Sequence, residues 1–181
     1  AGSLLGEIQH GHMEQVGYDT YCRLLDEVVK EMKGIEVKEE QDIQLDIDVS
    51  SYIPDNFIES NSQKIEIYQN IALCRTEEDI QNVIDEIIDR YGHMPEELEN
   101  LIEIARIKNL CKEANVLKIS QRKDKVVFYF DKSKFNPEIV DKLIKKYSSN
   151  IRFSTGVEPY ITLNIGNKII EEIKAFLTYV K

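Results

Sequence analysis

Four groups of side chains in this chain have the types and spacing for chemistry. His10-Gly11-His12 sets two imidazoles close together, the beginning of a metal site. Such a site normally closes with a third convergent ligand and supporting hydrogen bonds. Neither is visible here, so the segment reads as a polar loop and the expected metal content is none. Asp85, Glu86 and Asp89 offer carboxylates for general acid and base work. That chemistry needs one carboxyl whose pKa is raised by burial, and these three fall on the polar side of a helix whose other side is apolar. The bland reading is a solvated helix face, and the sharper one a surface that meets a partner. Arg122, Lys123 and Lys125, and then Lys142, Lys145 and Lys146, cluster positive charge near Tyr129 and Tyr147. Cations beside tyrosines suit nucleic acid, although a hairpin turn and the outer face of a helix need charges in any case. Cys22, Cys74 and Cys111 are odd in number, far apart and set in apolar helical patterns, which fits reduced thiols in a cytoplasmic core rather than a disulfide framework.

The larger catalytic signatures are missing. No Gly-x-x-x-x-Gly-Lys-Ser/Thr loop is present to cradle a triphosphate, and neither Gly-x-Ser-x-Gly nor His-Glu-x-x-His occurs. The formal net charge of -10 makes the average field repel phosphate backbones and attract basic partners. No run approaches the roughly 18 apolar residues that would span a bilayer. The chain opens on Ala1-Gly2-Ser3 without a methionine and reads as a fragment of something longer.

The elements that must position these groups follow from periodicity. Residues 1–17 are glycine-rich and loop-like. Tyr21, Leu24, Leu25, Val28, Val29 and Met32 then form one helical stripe, with Asp19 as N-cap and Gly34 as the stop. Residues 35–42 are charged and nonperiodic, a linker. Ile43, Leu45, Ile47 and Val49 alternate with polar residues as in a half-buried strand that ends before Pro54-Asp55.

Three helices are predicted next. The first runs over about 60–74. The second opens on Thr76 as N-cap with Asp79 three residues on, a capping-box pattern, and closes at Gly92. The third starts near Pro95, favoured at the first helical position, and buries Leu98, Leu101, Ile102, Ala105 and Leu110.

Beyond Ala114 the pattern becomes strand-like: a hairpin of 116–120 and 126–130, a helix after Asn136-Pro137-Glu138, two strands at 150–154 and 159–165, and a terminal helix from Ile169. The expected fold class is α+β, a helical N-terminal half followed by a small, mostly antiparallel sheet covered by helices. Three segments are expected: 1–34 as a leader, 35–42 as linker, 43–181 as one domain.

Several of these segments carry a resemblance. Gly2-Ser3-Leu4-Leu5-Gly6-Glu7-Ile8-Gln9-His10-Gly11, followed by Gly17-Tyr18-Asp19-x-Tyr21, resembles the end of the translocation motif of bacterial transcription-repair coupling factors. Tyr52-Ile53-Pro54-Asp55-Asn56-Phe57-Ile58, the helix Ile65 to Ala72, Ile87-Ile88-Asp89-Arg90-Tyr91-Gly92-His93-Met94-Pro95 and Leu101-Ile102-Glu103-Ile104-Ala105-Arg106 resemble further segments of that family. The likeness covers about residues 1–115; the last third matches in layout more than in motif.

That family displaces stalled RNA polymerase with an ATP-driven double-stranded DNA translocase and recruits the excision-repair protein UvrA in nucleotide excision repair. The resemblance implies that residues 1–34 are the end of the translocation motif with its connecting helix, its remnant being Gly2, Leu5, Gly6, Gln9 and Gly11. Gln9 would help couple ATP turnover to movement on DNA. It further implies that 43–181 is an autoinhibitory C-terminal domain, which masks the UvrA-binding domain of the same protein through an acidic pair, here Glu86 and Asp89. ATP and magnesium would belong to the parent's motor, leaving this fragment without a cofactor and not itself an enzyme. RNA polymerase, UvrA and DNA would be met through the parent, and no membrane. A second reading is an accessory DNA-contacting domain of the same translocase, with the Arg122–Lys125 turn as its contact.

Overall fold

The computed structural model describes residues 43–154 and 156–181. The glycine-rich leader, the helix predicted over 19–34, the linker at 35–42, Cys22, both imidazoles of His10 and His12, and Gly2, Leu5, Gly6, Gln9 and Gly11 lie outside the described residues. The described residues gather into two compact units. One is built from Val49–Arg106, the other from Ile107–Lys181 together with the strand at Gln44–Asp46.

In the first unit, an extended segment leads into α1 (Asn61–Leu73), α2 (Glu77–Tyr91) and α3, whose full span Glu96–Ala114 carries it into the second unit. Ser60 caps α1 by accepting from the Gln63 N–H. Thr76 and Asp79 form a reciprocal capping box at α2: Thr76 Oγ1 accepts from the Asp79 N–H at 3.1 Å, and Asp79 Oδ2 accepts from the Thr76 N–H at 3.0 Å. These bonds satisfy amide donors that a helix start leaves orphaned. Gly92 ends α2 at φ +88°, a conformation that costs a glycine little.

Core side chains of this unit are Ile53, Ile58, Ile67, Ile71, Ile80, Ile87, Leu98 and Leu101, all buried. The segment before α1 is tied down by two polar contacts. Tyr68 Oη accepts from the buried Ile53 N–H at 2.9 Å, and the buried Lys64 ammonium pairs with the Asp55 carboxylate.

The second unit holds a five-stranded sheet in the order β1-β2-β3-β5-β4, with β1 Gln44–Asp46, β2 Val116–Arg122, β3 Lys125–Phe130, β4 Ile151–Ser154 and β5 Tyr160–Asn164. All pairings are antiparallel except β1 with β2, which is parallel. The predicted α+β class and mostly antiparallel sheet are found. The parallel edge strand is new, because its partner lies some seventy residues downstream, beyond three helices. It is also shorter than its alternation suggested: only Gln44–Asp46 pair, while Ile47 packs on the core without joining the ladder.

Helices α4 (Ile139–Tyr147) and α5 (Ile169–Val180) complete the unit. Asn136 opens the approach to α4 by accepting from the Glu138 N–H at 3.0 Å. One face of the sheet, with Ile119, Val126, Phe128, Ile161 and Leu163, packs with Ile107, Cys111 and Ala114 of α3, Leu143 of α4 and Ile173, Phe176 and Leu177 of α5. The Phe128 and Phe176 rings lie 4.1 Å apart, between centroids, at the centre of this core. Leu110, on the apolar face predicted for α3, sits further out and is half-buried.

Candidate interaction surface

Helix α2 positions the acidic residues singled out by the sequence. Its buried stripe runs through Ile80 and Ile87, so Asp85, Glu86 and Asp89 fall on the solvent side, and all three are exposed. Asp85 accepts from Gln81 Nε2 at 2.9 Å. Arg90 stands between two carboxylates, 3.4 Å from Glu86 and 3.5 Å from Glu66 on α1. It therefore offsets part of the repulsion between Glu86 and Asp89, as the i, i+4 spacing predicts.

No partner is found for Asp89 among the described residues. It lies in the last turn, where the helix dipole disfavours an acid. Beside it Ile88 leaves 48% of its surface exposed. The arrangement suits binding: all three carboxylates are exposed on the solvent side of α2.

The other candidates are dispersed. Arg122, Lys123 and Lys125 are exposed at the tip of the β2–β3 hairpin, where Lys123 adopts φ +59°. Lys142, Lys145 and Lys146 line the outer face of α4, and Lys146 Nζ sits 4.1 Å from the Tyr179 ring centroid and 5.7 Å from that of Tyr147. Cys74 and Cys111 are buried and form no disulfide among the described residues, and burial pushes the Cys111 thiol up to about 12. Among the described residues no group of three or more His, Cys, Asp or Glu is placed to hold a metal ion, and no helix is long and apolar enough to cross a membrane.

A further signal was in the sequence and escaped a reading based on the total charge. Residues 49–106 hold 13 acidic and 4 basic residues, whereas residues 107–181 hold 8 acidic and 15 basic. The overall charge of -10 thus hides one acidic and one basic stretch, of net -9 and +7, with residues 1–48 supplying the remaining -8. Counting charge along the chain finds this, but only the fold shows that the two counts belong to separate compact bodies.

Fold and surface together define a two-unit α+β module with oppositely charged units and an outward-facing acidic helix. The profile of the TRCF domain family matches residues 47–139, just over half of the chain. The chain belongs to that family. It is 39% identical over 127 residues to the transcription-repair-coupling factor of Bacillus subtilis (strain 168), a match covering 70% of this chain and 11% of that protein. It is 30% identical over 173 residues to the transcription-repair-coupling factor of Rickettsia typhi, covering 94% of this chain and 15% of that protein. The chain therefore spans only a small part of the length of these relatives. Its fold is similar to a crystal structure of the C-terminal domain of transcription-repair coupling factor, with a TM-score of 0.67 and 22% identity, covering 76% of this chain and 89% of that one.

Proposed function

We propose that this chain is the C-terminal regulatory module of a transcription-repair coupling factor, and that α2 masks the UvrA-binding domain of the same protein until the factor engages its target. The observation that carries this reading is the exposure of Glu86 and Asp89 on one side of α2, in a unit with 13 acidic and 4 basic residues. Such a surface attracts a basic partner and fixes its orientation through paired charges. Half-exposed Ile88 adds apolar area beside the carboxylates.

Masking is a coupling between two sites. The same basic surface cannot hold α2 and UvrA at once, so a movement of the parent that favours one state releases the other. ATP hydrolysis, DNA translocation and displacement of RNA polymerase belong to motor segments of the parent, since the chain has no triphosphate-binding loop.

The test is calorimetric titration of this chain with the isolated UvrA-binding domain at low salt. Glu86→Ala with Asp89→Ala is expected to weaken the contact about tenfold, as loss of a charge pair at an interface does. Equal affinity of wild type and double variant removes the electrostatic mask.

A further inference from the structure

Among the described residues, the helices of the second unit contribute to the core under one face of its sheet. Helices α3, α4 and α5 all contribute to the core beneath Ile119, Val126, Phe128, Ile161 and Leu163. Side chains alternate along a strand, so the register turns Lys118 of β2, Lys125 and Tyr129 of β3, Tyr160 of β5 and Arg152 of β4 to the opposite side. The contacts agree. The Tyr129 and Tyr160 rings pair across the strands with centroids 5.7 Å apart, and Lys118 Nζ lies 5.6 Å from the Tyr129 centroid.

On β2 Ser120 is buried and Lys118 half-buried, whereas Arg122, paired with Lys125, is exposed like Lys125, Tyr160, Arg152 and Asn164, so the accessible platform crosses β3, β5 and β4 and reaches β2 at Arg122. Among the described residues no carboxylate pairs with Lys118, Arg122, Lys125 or Arg152. The acids closest along the strands and their turns are Asp46 at the β1 edge, Asp124 in the hairpin turn and Glu158 in the loop before β5. Unpaired cations around adjacent aromatic rings, in a unit with an excess of positive charge, complement a polyanion that also presents flat apolar groups. A single-stranded nucleic acid has that chemistry. Its bases stack on aromatic side chains and its phosphates meet cations, whereas a duplex hides its base faces.

We propose that this face, formed by Lys118, Arg122, Lys125, Tyr129, Arg152 and Tyr160, binds single-stranded nucleic acid. One base stacks on the exposed side of the Tyr129–Tyr160 pair. The phosphates run along β5 past Arg152 toward Lys125 and Arg122, a path of about 13 Å from the four-residue strand rise between Tyr129 and Lys125. It involves neither Glu86 nor Asp89, so it stands or falls apart from the masking contact.

The test is fluorescence anisotropy of labelled 15-mers of dT and U, and of a duplex of the same length, titrated with the 181-residue chain at 50 and 200 mM salt. Saturable binding of a single strand at 50 mM, weakened at 200 mM, is expected, with a log–log salt slope of about -2 for about three phosphates. Tyr160→Ala is expected to weaken it about tenfold and Tyr160→Phe to leave it within about twofold, because the ring does the stacking. Arg152→Glu keeps both rings and should also cost about tenfold, so the charge arm stands even if Tyr160→Ala proves unfolded by circular dichroism. The chain has no tryptophan, so the tyrosine quenching that a bound strand causes in the wild type and not in Tyr160→Ala reports the stacking. Absence of binding at 50 mM salt overturns the proposal. So does duplex bound as tightly as single strand with folded Tyr160→Ala unaffected, which leaves a merely basic surface.

Discussion

Lys64, buried on α1 with 3% of its surface exposed, holds its ammonium against the Asp55 carboxylate, which reaches it from the segment that precedes the helix. Asp55 itself is largely open to solvent, so the two ends of this pair have different costs. Removing the carboxylate leaves a buried charge uncompensated, and that is the expensive error. We expect Asp55→Ala to destabilise the protein by about 1–3 kcal/mol, below the roughly 3–5 kcal/mol of a fully buried pair because one partner is hydrated. Lys64→Met keeps the stem and deletes the charge, and is expected to cost less. Urea denaturation of both variants checks the order; a larger loss for Lys64→Met contradicts it.

The capping box of α2 makes a second prediction. Thr76→Ala removes the acceptor for the Asp79 N–H and is expected to cost about 1 kcal/mol. Asp79 Oδ2 accepts from the backbone N–H groups of both Arg75 and Thr76, and these bonds hold its carboxyl below the usual value of 3.8. A folded pKa below the unfolded one means that its contribution is present above about pH 4 and is lost as acid titrates the folded carboxylate. Asp79→Asn should therefore flatten the stability profile on the acid side of pH 4, measured as the denaturation midpoint against pH. An unchanged profile argues against the box.

Burial of Cys111 predicts its reactivity. A thiol pushed from 9.0 up to about 12 carries almost no thiolate at pH 8. In a Cys22→Ser background, Cys74 and Cys111 should label with an aromatic disulfide reagent only on the timescale of unfolding, and at once in denaturant. Because the folded pKa is the higher one, the stability contributed by the neutral thiol is full below about pH 9 and declines as pH rises toward about 12. Immediate stoichiometric labelling of the native protein would show the packing around Cys111 to be wrong.

The hairpin tip gives a fourth. Lys123 is held at φ +59°, where a side chain bearing Cβ is strained by about 1 kcal/mol. Lys123→Gly should raise the melting temperature by about 2–4 °C, the shift expected for that relief in a chain of this size. Lys123→Ala keeps the strain and should not. Equal melting temperatures for the two variants would place the turn's energetics elsewhere.

Much of this protein is local, and local features are legible along the chain. Thr76 with Asp79, Gly92, Pro95 and the Asn136-Pro137-Glu138 turn each act within a few residues, so the helix ends they set follow from side-chain chemistry alone. The solvent-facing position of Glu86 and Asp89 also follows from the period of α2, since Ile80 and Ile87 mark its buried side. Tertiary structure decided what distant residues do to one another. Gln44–Asp46 becomes an edge strand only because Lys118–Ser120 offers a free ladder parallel to it. Lys64 can be buried because Asp55 lies beside it. Tyr129 and Tyr160 share a face only through the register of β3 with β5. The charge followed the same division. Its sign along each stretch was written in the composition, but folding gathered those stretches into separate bodies, and a field depends on where charges stand in space rather than on their sum.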